Sequence, residues 1–126
     1  MAHDPCPVKY LVCNGAEGEP GTFKDLYLMR KNPYQLLEGI AIAAYAINAK
    51  TAFLGIKKSF EKEHEAVCRA HAEMSARGVL GATPIEIVRG PEDYLFGEER
   101  RCWKSSKAAT RCLVKQTYLP TSRAFL

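Results

Sequence analysis

The stretch Tyr10–Met29, YLVCNGAEGEPGTFKDLYLM, constrains this chain more than any other. It opens as a short apolar run, Tyr10-Leu11-Val12-Cys13, then breaks into a loop holding Gly15, Gly18, Pro20 and Gly21. From Thr22 it resumes in helix-forming residues. Strand, glycine-rich loop and helix in that order form the ligand-binding turn of an α/β domain. Loops that cradle phosphate present bare N–H groups and often a lysine. This loop instead carries two carboxylates, Glu17 and Glu19, with Lys24 further on. Carboxylates repel phosphate and suit groups that donate hydrogen bonds, such as ring N–H groups, ribose hydroxyls or an amide NH2. Asn14 adds an amide that both donates and accepts. The alternative is an acidic surface turn whose glycines serve only the backbone.

The rest of the chain supplies the elements such a turn needs. Lys9–Cys13 reads as a first strand, apolar on both faces as a buried parallel strand would be. Thr22 or Asp25 can cap a helical segment reaching about Arg30. Asn32-Pro33 is a helix start, with Asn as the cap and Pro in the first turn. Leu36, Leu37, Ile40, Ala43, Ala44 and Ile47 then recur at helical spacing and mark one buried face, with Tyr34 and Tyr45 as packing residues at its margin. Asn48 is placed to end that helix. Thr51–Ile56 reads as a second strand. Ser59 is placed to cap a helix from Phe60 to about Arg77, stopped by Gly78, with Phe60, Val67, Ala70 and Met74 as its apolar stripe. His64, Cys68 and His71 flank that stripe at a spacing able to hold a metal, but no fourth ligand is evident, and no metal site is expected. Ile85–Val88 reads as a third strand. Arg89–Phe96 is a second candidate ligand loop, and Gly97-Glu98-Glu99 opens a helix, where carboxylates are favoured by the dipole. Parallel strands joined by helical crossovers put both loops at the carboxyl edge of one sheet, where α/β domains bind ligands.

Composition limits the rest. A chain of 126 residues is enough for one modest domain, and 47% hydrophobic content is ordinary for a globular one. The apolar run around Ile40–Ile47 is too short to span a bilayer. The opening MAHDPCPVK lacks the apolar core of a signal peptide. Five cysteines without a Cys-x-x-Cys pair fit neither a disulfide framework nor an iron–sulfur or zinc site, so a reduced cytosolic setting is expected. The net charge of +4 is unevenly placed. Arg100–Leu126 holds seven of the 18 basic residues and no acidic ones, leaving Met1–Glu99 with 11 basic against 14 acidic, a net of −3. A nucleic-acid role is not expected, because those basic residues lack interleaved aromatics on a defined face.

Two motifs carry a resemblance. CNGAEGEPGTFKD resembles the flavin-binding loop of the NADH-binding flavoprotein subunit of respiratory complex I and of the related subunits of NAD-reducing hydrogenases and NAD-dependent formate dehydrogenases. Gly90–Glu99, GPEDYLFGEE, resembles the other flavin-side motif of that family, ending in Tyr-x-x-Gly-Glu-Glu. The resemblance covers about Val8–Glu99. It implies a three-layer, Rossmann-like parallel sheet of βαβαβ order, and a parent enzyme that takes a hydride from NADH onto FMN and passes electrons singly to iron–sulfur clusters. It further implies that Asn14 and Glu17 hydrogen-bond the flavin ring, and that Glu19 sits by the nicotinamide end of NADH. Tyr94 and Gly97 would line the flavin pocket, with Glu98 touching FMN and Glu99 facing NADH. None of these acts as nucleophile or acid–base catalyst. Implied partners are NADH, FMN and other hydrophilic subunits of the parent complex, in the cytoplasm or peripheral on the cytoplasmic face of the inner membrane, with no direct membrane insertion.

The sequence departs from the family in four respects. Ala16 stands where many members have Asp, and Leu26 where Arg is common. The family's upstream glycine-rich phosphate loop and its downstream cysteine cluster for the 4Fe-4S centre are not in these 126 residues, which implies the middle of a flavin-binding domain. After Glu99 the pattern of residues changes. Arg100–Leu126 has neither helical period nor strand alternation. Family members continue there with a helix of the form x-Ala-Leu-Leu-Glu. In the shifted reading frame the Cys102–Trp103 junction must encode Leu and the Trp103–Lys104 junction Glu, and with G- or C-ending codons the stretch opens Ala-Ala-Leu-Leu-Glu. The expectation is a partial FMN/NADH-binding domain over residues 1–99 and a frameshifted, poorly ordered, irregular tail over 100–126. The alternative to a flavoprotein piece is a non-catalytic remnant or interaction module.

Overall fold

The computed structural model describes residues 8–90 of the chain. Its elements run β1 (Tyr10–Gly15), α1 (Lys24–Lys31), α2 (Pro33–Ala46), β2 (Thr51–Lys57), α3 (Glu61–Ala76) and β3 (Ile85–Gly90). The strands form one parallel sheet in the order β1-β2-β3, with Leu11 opposite Ala52, Cys13 opposite Leu54, and Leu54 opposite Ile87. Every residue from Ala52 to Ile56 is buried, as a central strand requires, whereas β1 is an edge strand and only half-buried. The expected strand buried on both faces is therefore β2, not β1.

Alternation along the strands divides the sheet into two unlike faces. Leu11, Ala52, Leu54, Ile56 and Ile85 point into the core with Met29, Leu37, Ile40, Ala44, Val67 and Ala70, and Cys13 and Ile87 pack against it. Both crossovers step across the sheet in the same direction. Right-handed crossovers of that kind put their helices on the same side. The helix-to-helix links agree: Arg30 of α1 pairs with Glu63 of α3, and the Tyr34 hydroxyl of α2 donates to Glu73 of α3 at 2.7 Å. On the second face Tyr10 meets Phe53 with ring centroids 6.1 Å apart, and Val12 packs on Ala16. Among the described residues no helix covers that face. The α/β parallel sheet stands as read, and over residues 8–90 the described helices lie on one side of it.

Helix boundaries follow local chemistry in some places and tertiary chemistry in others. Asn32 caps α2 through its side-chain oxygen, which accepts from Gln35 N at 3.2 Å, with Pro33 in the first turn. Asn48, at φ +54°, ends the following turn in the left-handed conformation that Asn tolerates. Gly78, at φ +69°, ends α3. The expected caps of the other two helices are not formed. Thr22 donates its hydroxyl to Glu19 O at 2.8 Å instead of accepting from α1, and Asp25 lies inside the helix. Ser59 does not cap α3, whose cap position is Phe60 with no side-chain acceptor. Glu61 and Glu63 supply negative charge in that first turn. Tyr45 is 86% exposed, so it stands in solvent and is not a packing residue.

The strands also run further than their apolar runs suggest. β1 continues through Asn14 and Gly15, paired with Gly55 and Ile56, and β3 continues through Arg89 and Gly90. Arg89 therefore belongs to a strand, not to a loop. Residues 91–126, with Tyr94, Gly97, Glu98, Glu99 and the expected tail, lie outside the described residues. Among the described residues no helix is long and apolar enough to cross a membrane.

Candidate functional site

Parallel pairing puts the carboxyl ends of β1, β2 and β3 at one rim, and the chain between β1 and α1 forms its acidic side. Gly15 closes β1 at a point with no room for a side chain. A Cβ there would lie 3.2 Å from Gly55 O, 3.4 Å from Leu54 Cδ1 and 3.5 Å from Met29 Sδ. The backbone oxygen cannot swing aside, so the glycine lets β1 sit tight on β2 while the chain turns off the sheet. Asn14, the last side chain before that point, uses its Oδ1 to accept from Ala16 N at 2.9 Å. This side-chain turn over two residues shapes the start of the loop.

Glu17 is the centre of the site. Its side chain is 4% exposed although the loop is at the surface. Oε1 accepts from the backbone N–H of Lys24 at 3.1 Å, seven residues on, and lies 3.6 Å from Lys24 Nζ. The carboxylate thus serves the opening of α1 in place of the absent local cap, where a negative charge also suits the helix dipole. Oε2 is buried with no hydrogen-bond partner among the described residues. Leaving a buried polar atom unsatisfied costs about 1–3 kcal/mol, and more when it is charged. Lys24 Nζ itself donates to Asp25 Oδ1 at 2.9 Å. Burial alone would lower the Lys24 pKa, but Asp25 and then Glu17 outweigh it and hold the ammonium above its ordinary 10.5.

The sequence-derived residues are not all brought together. Asn14 and Glu17 are both fixed at the rim by hydrogen bonds to the loop and to α1. Glu19 lies exposed at the tip, where its carbonyl accepts from Thr22 N at 3.3 Å and from the Thr22 hydroxyl, closing a turn that Gly21 completes at φ +82°. Its carboxylate is open to a ligand arriving from solvent. Ala16 is buried at 4% exposure against Val12, so this chain offers an apolar surface at the position where Asp is common. Lys24 was missed as a partner of Glu17, because a contact across seven residues of turn has no periodic signal. Cys68 Sγ lies 3.5 Å from His64 Nε2, and among the described residues no three His, Cys, Asp or Glu side chains converge as metal ligands.

The rim presents hydrogen-bond acceptors, which suit a ligand group that donates, such as a ring N–H. Among the described residues one buried carboxylate oxygen lacks a donor, and no Asp or Glu besides Glu17 and Glu19 lies within the loop before α1. The family profile described as the Nuo51 FMN-binding domain matches residues 1–123. The chain belongs to this family. It is 42% identical to an NADH-quinone oxidoreductase subunit of Rhizobium meliloti (strain 1021) over 99 residues, covering 72% of this chain and 24% of that protein. It is 39% identical over 104 residues to the mitochondrial NADH-ubiquinone oxidoreductase 51 kDa subunit of Aspergillus niger, covering 76% of this chain and 21% of that one. Among solved structures it is similar to a chain of an NAD+-reducing [NiFe]-hydrogenase in the H2-reduced state. The TM-score is 0.75 at 32% identity, over 82% of this chain and 18% of that chain. The chain therefore spans a quarter or less of the length of these relatives. The first two are oxidoreductase subunits by name and the third an NAD+-reducing hydrogenase, which agrees with the family read from the two motifs.

Proposed function

We propose that this chain is the ring-binding part of a flavoprotein subunit that takes a hydride from NADH onto FMN, in a parent complex of the NADH:quinone oxidoreductase or NAD-reducing hydrogenase type. The observation that carries the reading is the buried Oε2 of Glu17, unpartnered among the described residues, at the carboxyl rim of a parallel sheet, inside the loop that bears the family resemblance. When bound, FMN supplies the hydride-accepting ring and the capacity to release electrons one at a time to iron–sulfur clusters elsewhere in the parent.

The chain's own residues bind and orient. Glu17 Oε2 accepts from a donor on the flavin ring, while Oε1 stays on Lys24 N, so the carboxylate is fixed before the ligand arrives. Asn14, held by its bond to Ala16 N, borders the same rim. Glu19, exposed at the tip, accepts from the nicotinamide end of NADH. Tyr94 and Gly97 are proposed to line the flavin pocket, Glu98 to contact FMN and Glu99 to serve the NADH side. None of these groups carries a proton in the hydride step. Their contribution would be to bind and orient FMN and NADH for the transfer. The iron–sulfur clusters and the other subunits belong to the proposed parent complex.

NADH oxidation with ferricyanide as acceptor, with and without added FMN, tests the reading. Turnover that needs FMN and is lost in Glu17→Gln supports it. Millimolar FMN that leaves Asn14–Lys24 unperturbed, together with no turnover, favours the non-catalytic alternative.

A further inference from the structure

We infer that Arg30 and Glu63 are a positioning pair for the Glu17 carboxylate, acting through α1 as a strut between α3 and the rim. This rests on the reading of Glu17 as the ligand-facing group. Glu63 is 2% exposed, on the inward side of α3 beside Val67 and Ala70 at 0%. Arg30, in the last turn of α1, is its only ion-pair partner among the described residues. A carboxylate on an apolar face is not an economical source of stability, since a well-packed apolar pair of similar volume does as well or better. What a charge-assisted bond to a guanidinium adds is one fixed geometry.

The element it fixes is the one that holds Glu17. α1 is eight residues, about two turns, too short to be stable alone. Met29, 1% exposed, anchors it in the core. A methionine is adaptable and leaves the helix free to slide and rotate by small amounts. The remaining freedom is removed at the two ends: Lys24 N on Glu17 Oε1 at the rim, and Arg30 on Glu63 six residues later, about 9 Å along the axis. A shift of the Arg30 end moves Lys24 N, and Glu17 re-aims its second oxygen with it.

The test is made on the ligand-free, 15N-labelled chain, so that failure of the flavin reading and failure of this inference are separate results. The amide proton of Lys24 is followed by NMR through the titration of Glu17. Glu17→Gln identifies that component against the charges of Lys24 and Asp25 nearby. In Arg30→Met/Glu63→Met we expect a melting temperature within about 5 °C of the parent chain, with the Lys24 titration amplitude reduced at least two-fold. Arg30→Lys, which keeps the charge but not the planar fork, is expected to fall between. Full amplitude in the double variant overturns the inference, as a merely structural pair would leave the Lys24–Glu17 contact intact. If the double variant does not fold, Glu63→Gln decides. It keeps an acceptor for Arg30 without the charge, and an amplitude equal to that of the parent chain overturns the inference, whereas a clear reduction supports it. If FMN produces no shifts between Asn14 and Lys24, the flavin reading fails while the positioning of Glu17 by α1 stands or falls on the amplitude alone.

Discussion

Glu17→Gln separates a ligand-binding carboxylate from a structural cap, because the two roles predict opposite signs. Gln keeps an oxygen for Lys24 N, so the 3.1 Å bond that opens α1 survives. Two favourable charge effects are lost: the interaction with the helix N-terminus, about 0.3–1 kcal/mol, and the attraction to Lys24 Nζ at 3.6 Å. The second is small because Lys24 is 59% exposed, and such pairs give about 0–1 kcal/mol. Against these losses, the negative charge is removed from a buried oxygen with no partner among the described residues; the Gln NH2 that replaces it is also unpartnered, so what is recovered is the extra cost of a charged group over a neutral one, about 1–2 kcal/mol. The balance is a gain of up to about 1 kcal/mol in the unliganded chain, or up to about 4–8 °C in melting temperature for a domain of this size. Thermal unfolding by circular dichroism without ligand measures it. The same variant is expected to lose the ligand response, which is the stability–function exchange of a binding residue. A loss of more than about 1 kcal/mol would show that Glu17 is there to cap α1 and would refute the reasoning.

Other perturbations test the frame that places the site. Arg30→Met leaves Glu63 buried without a partner and is expected to cost about 3 kcal/mol, the low end for a broken buried pair because Arg30 is 55% exposed; urea unfolding reads it directly. Leu54→Ala empties the middle of the central strand, where Leu54 is 0% exposed, and should cost about 3 kcal/mol in the same assay. Gly15→Ala brings a Cβ to 3.2 Å from Gly55 O and is expected to cost about 1–2 kcal/mol and to shift the Asn14 and Ala16 amides in NMR spectra. A neutral result would mean that β1 and β2 do not approach as closely at the rim as described.

Much of the frame was legible because it rests on signals that repeat or stay local. The apolar face of α2, its Asn32-Pro33 start, the Gly78 stop and the three strand cores all come from such signals. Failures came where distant residues decided. Lys24 N found its acceptor in Glu17, across a turn, so neither Thr22 nor Asp25 was used. Asn14 and Gly15 read as loop by composition, yet pairing with Gly55 and Ile56 extends β1 through them. Glu63 breaks the apolar stripe of α3 and could be placed inside only by knowing that Arg30 faces it. The side each helix takes depends on strand order, which no stretch of the sequence states: an order of β1-β2-β3 puts the described helices on one face. In the site, Glu17 was readable as a residue type in a loop, but its unpartnered oxygen is a property of the fold alone.

The central claim is that the acidic loop at the carboxyl rim receives the ring end of a flavin. FMN titrated to millimolar concentration into the 15N-labelled chain tests it most directly. Weak, saturable shifts confined to the amides of Asn14–Lys24, and absent in Glu17→Gln, are the expected result. Shifts that instead cluster at the opposite end of the sheet, around His71, Gly81 and Thr83, or no shifts at all, would contradict it.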